Sequence, residues 1–358
     1  MYTFKSYTKA NGKNHIKPNQ DNYSIWSRDG NFDTPFGFIG VYDGHGIYGH
    51  FVSEIIKDYF LEFIPINWGE LNNDFTNTIN YLFNNAQDVL YEQIILKFKD
   101  LNYTIKETEL QLNNKTYKQF TYKKNMYDKW NKFASGTTCS LVIILENNKL
   151  YHVHLGDSEC VIFDKINDKP YQKCLTKDHS PTSMNEYKRV ISNYDLPGLF
   201  KYNLINIHNK GPNIFDNTNS NITKYNPYEL YKKNRKMYLK NVESEYSSYF
   251  IHPIDDNILL SMLRAFGNFH LVPYGVSYEP DIIEYNYTDN TIILLASDGL
   301  WDNWKKKELF NKFNEWINNG LSLDEIFNLL VKITDKEAFK NFGSSKDDIT
   351  LILSSKTF

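Results

Sequence analysis

The 358-residue sequence is poor in cysteine: it has three, Cys139, Cys160 and Cys174, at irregular spacings. That excludes a disulfide framework and a zinc ribbon, and fits free thiols in a reducing compartment. Long apolar runs are also missing. The longest, Leu141–Leu145 and Ile292–Ala296, fall far short of the roughly 20 residues a membrane helix needs. The segment Met1–Lys17 has no apolar stretch of the kind a secretory signal carries. The expectation is an intracellular protein, cytoplasmic or nuclear, with no membrane partner. There is no excess of one charge: 40 Lys+Arg stand against 43 Asp+Glu, a net of −3. A nucleic-acid binder shows a strongly basic domain, so no nucleic-acid partner is expected. Among the histidines, His45 and His50 are spaced neither as a zincin nor as a zinc finger.

Aromatic residues are plentiful, with 27 Tyr and 24 Phe making 16% of the chain together with Trp. Disordered chains are poor in them, so this chain can bury a sizeable core. The abundance of Asn, Lys, Ile and Tyr is what an AT-rich coding sequence would produce, and it carries no functional information.

Short β-branched and aromatic runs predict strands at Tyr23–Trp26, Gly37–Tyr42, Thr138–Leu145, Tyr151–Leu155, Cys160–Phe163, Ile292–Ala296 and Ile349–Leu353. Glu146–Lys149 reads as a hairpin turn. Apolar residues recurring at a period of about 3.6 predict helices at His50–Phe63, Phe75–Phe98, Lys306–Asn318 and Leu323–Phe339. Strands come in runs rather than in βαβ alternation. This favours an α+β fold of mainly antiparallel sheets. The motifs described below span nearly the full length, so one catalytic domain is expected over residues 1–358. Two segments read as enlargements: 101–122, a hairpin around Asn113-Asn114, and 192–249, a polar flap. The flap carries the densest basic cluster, Lys232, Lys233, Arg235, Lys236 and Lys240, read as a solvated face. Trp301 and Trp304 are expected to pack in or beside the core.

The chemistry lies in Asp residues at strand ends. Asp21 precedes one strand; Asp43 ends another and opens Asp43-Gly44-His45-Gly46. Asp157 follows Leu155-Gly156, Asp298 follows Ala296-Ser297, and Asp347-Asp348 open the last strand. Each alone is ordinary turn chemistry. Together, apolar strands carrying Asp at their ends can gather carboxylates at one sheet edge. Like charges in proximity raise one another's pKa and persist mainly when cations neutralise them. Carboxylate, carbonyl and water ligands suit Mg²⁺ or Mn²⁺. Gly44 permits close backbone approach with its carbonyl as a ligand.

The ordered motifs resemble the metal-dependent protein phosphatase family, type 2C. They are Asn19-Gln20-Asp21, Val41-Tyr42-Asp43-Gly44-His45-Gly46, Ser135-Gly136-Thr137-Thr138, Leu155-Gly156-Asp157-Ser158, Asp178-His179-Ser180-Pro181 and Glu186 with Arg189. They continue through Arg264-Ala265-Phe266-Gly267-Asn268, Glu279-Pro280-Asp281, Ala296-Ser297-Asp298-Gly299-Leu300-Trp301-Asp302 and Asp347-Asp348-Ile349-Thr350. The resemblance implies a four-layer α-β-β-α sandwich of two mainly antiparallel sheets flanked by helices. It implies hydrolysis of phosphoserine and phosphothreonine in proteins, with two Mg²⁺ or Mn²⁺ ions and a hydroxide bridging them. By motif position Asp43 bridges the two metals, the Gly44 carbonyl binds one, and Asp298 and Asp347 bind the other. Asp21 holds metal-bound water and His45 acts as general acid. Asp157 and Asp302 match a third, weaker metal position. Phosphorylated proteins are the implied partners, and a monomer is favoured.

Several positions depart from the family pattern. Ile16 stands where a phosphate-binding Arg is usual, and the neighbouring Lys17 is expected to substitute in part, without the bidentate fork of Arg. Glu159 replaces a frequent Arg, Asn268 a usual Asp, and Asp348 a usual Asn. A second class therefore stays open: a catalytically weak, phosphatase-like module that binds phosphoproteins or regulates a partner.

Overall fold

A computed structural model describes residues 2–10, 18–112, 114–166, 169–177, 179–204, 222–224 and 246–356. From the N-terminus come β1 (Tyr2–Lys9), β2 (Asp21–Ser27) and β3 (Gly37–His45), then helices α1 (Gly49–Ile66), α2 (Trp68–Asn73) and α3 (Phe75–Asp100). A ribbon follows, β4 (Thr104–Leu112), β5 (Lys115–Lys123) and β6 (Asn131–Lys132). The chain re-enters the sheets with β7 (Gly136–Thr137), β8 (Cys139–Ile144), β9 (Lys149–Leu155), β10 (Glu159–Ile166) and β11 (Lys169–Cys174). Next are α4 (Met184–Asn193), β12 (Leu199–Leu204), β13 (Ile222–Lys224), β14 (Tyr246–Ile251), β15 (Leu259–Leu260) and β16 (Phe266–Gly267). The last part holds β17 (Asp281–Asn286), β18 (Ile292–Ala296), the helical turn α5 (Asp298–Trp301), α6 (Lys306–Asn318), α7 (Leu323–Phe342) and β19 (Ile349–Lys356).

Two principal sheets form. One has the order β1-β19-β18-β10-β11; the other runs β16-β7-β3-β8-β9-β17, with β2 also paired to β3. All pairings within both are antiparallel. Side chains alternate across each strand, and the alternation sorts the core into layers. Ile39 and Val41 of β3, Val142 and Ile144 of β8, Cys160 and Ile162 of β10, and Ile293 and Leu295 of β18 share one cluster between the sheets. Their neighbours point outward. Phe38, Tyr42, Leu141 and Ile143 pack against α1 and α3, while Val161, Phe163, Leu294 and Leu351 pack against α6 and α7. The result is the α-β-β-α arrangement of the α+β class. A fully buried aliphatic or aromatic side chain contributes roughly 1.5–3 kcal/mol, so these three clusters carry most of the stability.

Strands covered on both faces are unbroken apolar runs, which is why β3, β8, β10, β18 and β19 are readable from sequence. The edge strands β1 and β17 are half-exposed and carry Lys5, Lys9, Asp281 and Glu284, so their pattern is weak. The expected turn between β8 and β9 is present, with Asn148 at φ 58 and its N–H donating to Leu145 O at 3.0 Å. Helix ends are held locally: Asp74 accepts from Asn77 N at α3, and Ser322 with Glu325 forms a capping box at α7. Trp301 and Trp304 are core residues, their indole N–H groups donating to Ala296 O and Thr334 Oγ1. Segment 101–122 contains most of the β4–β5 ribbon, with Asn114 at φ 58 in its turn. Of segment 192–249, residues 205–221 and 225–245, including the basic cluster, lie outside the described residues. Among the described residues, no helix is long and apolar enough to cross a membrane.

Candidate active site

Strand register gathers the carboxylates. Asp21 opens β2 directly opposite Asp43 near the end of β3. In the other sheet Ala296 of β18 pairs with Leu351 of β19, so Asp298 and Asp347 lie just beyond neighbouring strand ends. Stacking the sheets superimposes the two edges, and hydrogen bonds tie them together. Ser297 Oγ donates to Asp21 Oδ2 at 2.8 Å while accepting from Thr350 N at 3.0 Å. Gln20 N donates to Asp348 Oδ2 at 2.8 Å. Asp348, a departure from the family pattern, thus anchors the loop before Asp21.

The convergence is visible in the electrostatics. Burial raises the Asp43 carboxyl well above the carboxylate range, and the charges of Asp298, Asp21, Asp347 and Asp157 add to the rise. Burial likewise pushes Asp21 up to about 7, with Asp347 and Asp348 adding and the Ser297 hydrogen bond opposing. Asp347 is exposed at the rim, whereas Asp21 is 4% exposed. Thr138 orders this edge: its N–H donates to Asp43 O at 2.9 Å, and its Oγ1 accepts from Asp43 N at 3.0 Å. Asp302 follows one helical turn after Asp298, its N–H donating to Asp298 O at 2.7 Å.

Gly44 packs backbone against backbone. A Cβ there would overlap Gly49 O and lie 2.6 Å from Gln20 O. Glycine is therefore required by the close approach, and it keeps a carbonyl beside the carboxylates. A set of oxygen donors that repel one another when ionised fits hard divalent cations.

His45 is paired through β3 and β7 to Gly136. Its Nε2 lies 2.8 Å from Asn268 Nδ2. The amide nitrogen donates, so Nε2 accepts and the imidazole proton sits on Nδ1, which has no hydrogen-bond partner among the described residues. Burial lowers the His45 pKa to about 4, with Asp157 and the Asn268 contact opposing. Lys17, with Ile16, lies outside the described residues.

Sequence spacing had no signal for a second polar centre. His152, His154 and His179 stack face to face between the sheets, with ring centroids 4.6 Å apart at each step. His154, His179 and Asp281 bring donor atoms within 4.8 Å of one another, a geometry that could hold a metal ion. The partners already present argue for a different role. His154 Nε2 is engaged by the Lys177 backbone at 3.0 Å, and His179 Nδ1 accepts from Gly156 N at 3.1 Å. Asp281 is paired with Arg264 at 3.0 Å and Lys177 at 3.1 Å. Although burial pushes Asp281 up, His179 and these cations hold it well below the carboxylate range. The stack is a neutral girder. Arg264 extends it to Glu186, which also receives two bonds from Arg189, tying α4 to the loop that carries Asp157. Glu159, the family departure, opens β10 opposite Ala296 and pairs with Lys306 at 2.6 Å.

The profile of the Protein phosphatase 2C family matches residues 70–195 and 248–338, well over half of the chain. The chain is 23% identical to probable protein phosphatase 2C 34 of Arabidopsis thaliana over 336 residues, covering 93% of this chain and 76% of that protein. It is 27% identical to probable protein phosphatase 2C 1 of the same plant, covering 92% of this chain and 61% of that one. It is 25% identical to probable protein phosphatase 2C 66 of rice, and spans 48% of its length. Among solved structures, a serine-threonine phosphatase 2C from Toxoplasma gondii superposes over 99% of this chain and 94% of its own, with TM-score 0.59 at 18% identity. A serine/threonine phosphatase of Mycobacterium tuberculosis does so over 100% and 99%, with TM-score 0.51 at 13% identity.

Proposed function

The chain belongs to the protein phosphatase 2C family, and on that footing we propose that it hydrolyses phosphoserine and phosphothreonine in proteins with Mg²⁺ or Mn²⁺ as cofactor. The observation that carries this reading is the convergence of carboxylates at the joined sheet edges: Asp21 lies opposite Asp43, and Ser297, next to Asp298, bonds to the Asp21 carboxylate across the sheets. Asp43, the Gly44 carbonyl, Asp298 and Asp347 would hold two cations, with Asp21 acting through water. Asp157 and Asp302 would serve a third. Bound there, the cations supply Lewis acidity, acidifying water and neutralising phosphoryl charge.

The chain's own groups do the rest. Ser297 and Thr350 fix the Asp21 carboxylate, and Thr138 fixes the backbone of Asp43, so the donor set is organised before any substrate arrives. His45 donates a proton to the leaving serine or threonine oxygen, a contribution of roughly 10²–10⁴-fold in such reactions. Burial alone keeps it neutral, so the negative charge of the bound phosphoryl group is what restores its proton affinity. Hydrolysis needs no covalent phosphoenzyme, and none of the motif residues serves as a nucleophile. Residues 1–358 act as one catalytic domain in this scheme.

The test pairs turnover with binding. The purified chain should hydrolyse a small aryl phosphate and a phosphothreonine peptide in Mn²⁺, and calorimetry should show Mn²⁺ binding that Asp298→Asn weakens at least tenfold. Mn²⁺ binding without turnover would favour the phosphoprotein-binding module. Neither binding nor turnover would sink the enzyme and its site together.

A further inference from the structure

An open groove of about 610 Å³ runs between α3 and the β4–β5 ribbon and shares no residue with the carboxylate cluster. Helical spacing builds one wall. Asp88, Glu92 and Leu96, four residues apart, form one exposed stripe of α3. Glu92 and Leu96 line the groove, and Asp88 lines an adjoining hollow of about 140 Å³ that shares Tyr91 and Lys118 with it. Strand alternation builds the other wall. Glu107 and Glu109 stand on one face of β4, opposite Phe120 and Lys118 of β5. Phe120 is in the core against α3, so this is the ribbon face that turns toward the helix.

Three features specify an occupant. First, the groove is acidic: Asp88, Glu92, Glu107 and Glu109 face a single cation, Lys118. None of the four carboxylates has an ion-pair partner among the described residues. Lys118 lies 5.8 Å from the Tyr91 ring centroid, and the Tyr91 hydroxyl is 3.3 Å from Glu107 Oε2. Second, the groove has an apolar end, with buried Ile95 beside Leu96, which is 52% exposed. Third, β4 is an edge strand of its three-stranded sheet, and Glu107, Thr108 and Glu109 line the groove consecutively. An edge strand offers unpaired backbone groups to an extended chain. An added strand would place its alternate side chains opposite Glu107 and Glu109, where opposite charges pair favourably.

We propose that this groove docks an extended basic segment of a phosphoprotein substrate. Its pattern is an apolar residue for the Leu96 end followed by Lys or Arg at alternate positions. The docking rests on the groove alone, whereas the assignment of the occupant as substrate rests on the phosphatase reading above. Docking remote from the phosphoryl group would lower KM for phosphoproteins carrying such a segment, by holding the phosphorylated stretch at a high effective concentration.

The probe is a fluorescein-labelled peptide, Leu-Lys-Val-Lys-Val-Lys-Thr, measured by anisotropy in saturating Mn²⁺, with a Glu-for-Lys peptide as control. Wild type and Asp43→Asn should bind the basic peptide alike, and 0.3 M salt should weaken binding. Glu107→Lys/Glu109→Lys, at exposed positions and checked for an unchanged circular dichroism spectrum, should bind at least tenfold more weakly. Equal affinity in wild type and the double variant overturns the docking site. So does binding lost in Asp43→Asn but kept in the double variant, since the peptide then reads the carboxylate cluster. The second arm joins the basic segment by a Gly-Ser linker to a phosphothreonine peptide. In wild type the joined peptide should show a KM several-fold below the unjoined one, and the double variant should erase that ratio. Binding without a KM advantage overturns the substrate assignment. Absence of aryl phosphate turnover by wild type indicts the phosphatase reading, while the anisotropy arm still decides the groove.

Discussion

Asp21 offers a test of the cation site that needs no substrate. Burial pushes its carboxyl to about 7, Asp347 and Asp348 add to the rise, and the Ser297 bond opposes it. In an unfolded chain an Asp titrates near about 3.9. The folded state therefore binds more protons than the unfolded between roughly pH 4 and 7, and stability falls as pH rises through that window. About three decades of proton affinity at about 1.4 kcal/mol each amount to roughly 4 kcal/mol at pH 8. Asp21→Asn removes the titration and keeps an acceptor for Ser297 Oγ. The imidazoles of His45, His152, His154 and His179, all held low by burial, work in the opposite sense and cost stability on acidification below 6.5. Wild type and variant must therefore be compared at each pH. An unfolding entropy of about 2.1 cal/mol/K per residue makes 4 kcal/mol worth about 5 °C in a chain of this length. Only about two of those three decades lie above pH 5, so in EDTA the Tm of Asp21→Asn should gain about 3–4 °C on wild type between pH 5 and pH 8. Excess Mn²⁺ should reverse the order, because a cation that binds only the folded state stabilises it. A Tm difference that stays constant from pH 5 to 8, or equal Mn²⁺ shifts in both proteins, refutes the reasoning.

Three further outcomes are expected. Asn268→Asp places a carboxylate against His45 Nε2 and should raise the imidazole pKa from about 4 by roughly one to three pH units. An NMR titration of His45 that does not move would show that the contact is absent in solution. Gly44→Ala drives a methyl group into Gly49 O and Gln20 O; it should cost about 1–3 kcal/mol in urea unfolding and weaken Mn²⁺ at least tenfold. Unchanged Mn²⁺ affinity would remove the Gly44 backbone from the site. Arg264→Met strips Asp281 of one cation and leaves buried Glu186 with Arg189 alone, for an expected loss of about 3 kcal/mol or more. Arg264→Lys should not restore it, since the paired contacts to Glu186 and Asp281 need the guanidinium fork. A loss below 1 kcal/mol in either variant would mean that the network is not what ties α4 down.

Much of this protein can be read along the chain. Strands buried on both faces, such as β3, β8 and β18, are continuous apolar runs, which mark a sheet covered on both sides; that the cover is a second sheet on one side and helices on the other is implied by the family resemblance. Helices α1, α3, α6 and α7 declare themselves by period. The acidic residues at strand ends, with Gly44 beside Asp43, already point to oxygen-ligated cations, because both strand ends and metal sites leave local marks. The edge strands β1 and β17 leave weaker ones, since a half-exposed strand tolerates charge. Sequence spacing cannot show what depends on packing two sheets face to face. Asp21 and Ser297 are joined only by that stacking, as are Gln20 and Asp348. The same stacking places His154 beside His179, and with Asp281, Arg264 and Glu186 forms the girder that steadies α4. The groove over α3 exists only because a ribbon folds back across a helix. Residue types settle which chemistry is available. Register between distant strands and the burial it imposes decide which carboxylates repel, which histidines stay neutral and which acids face water.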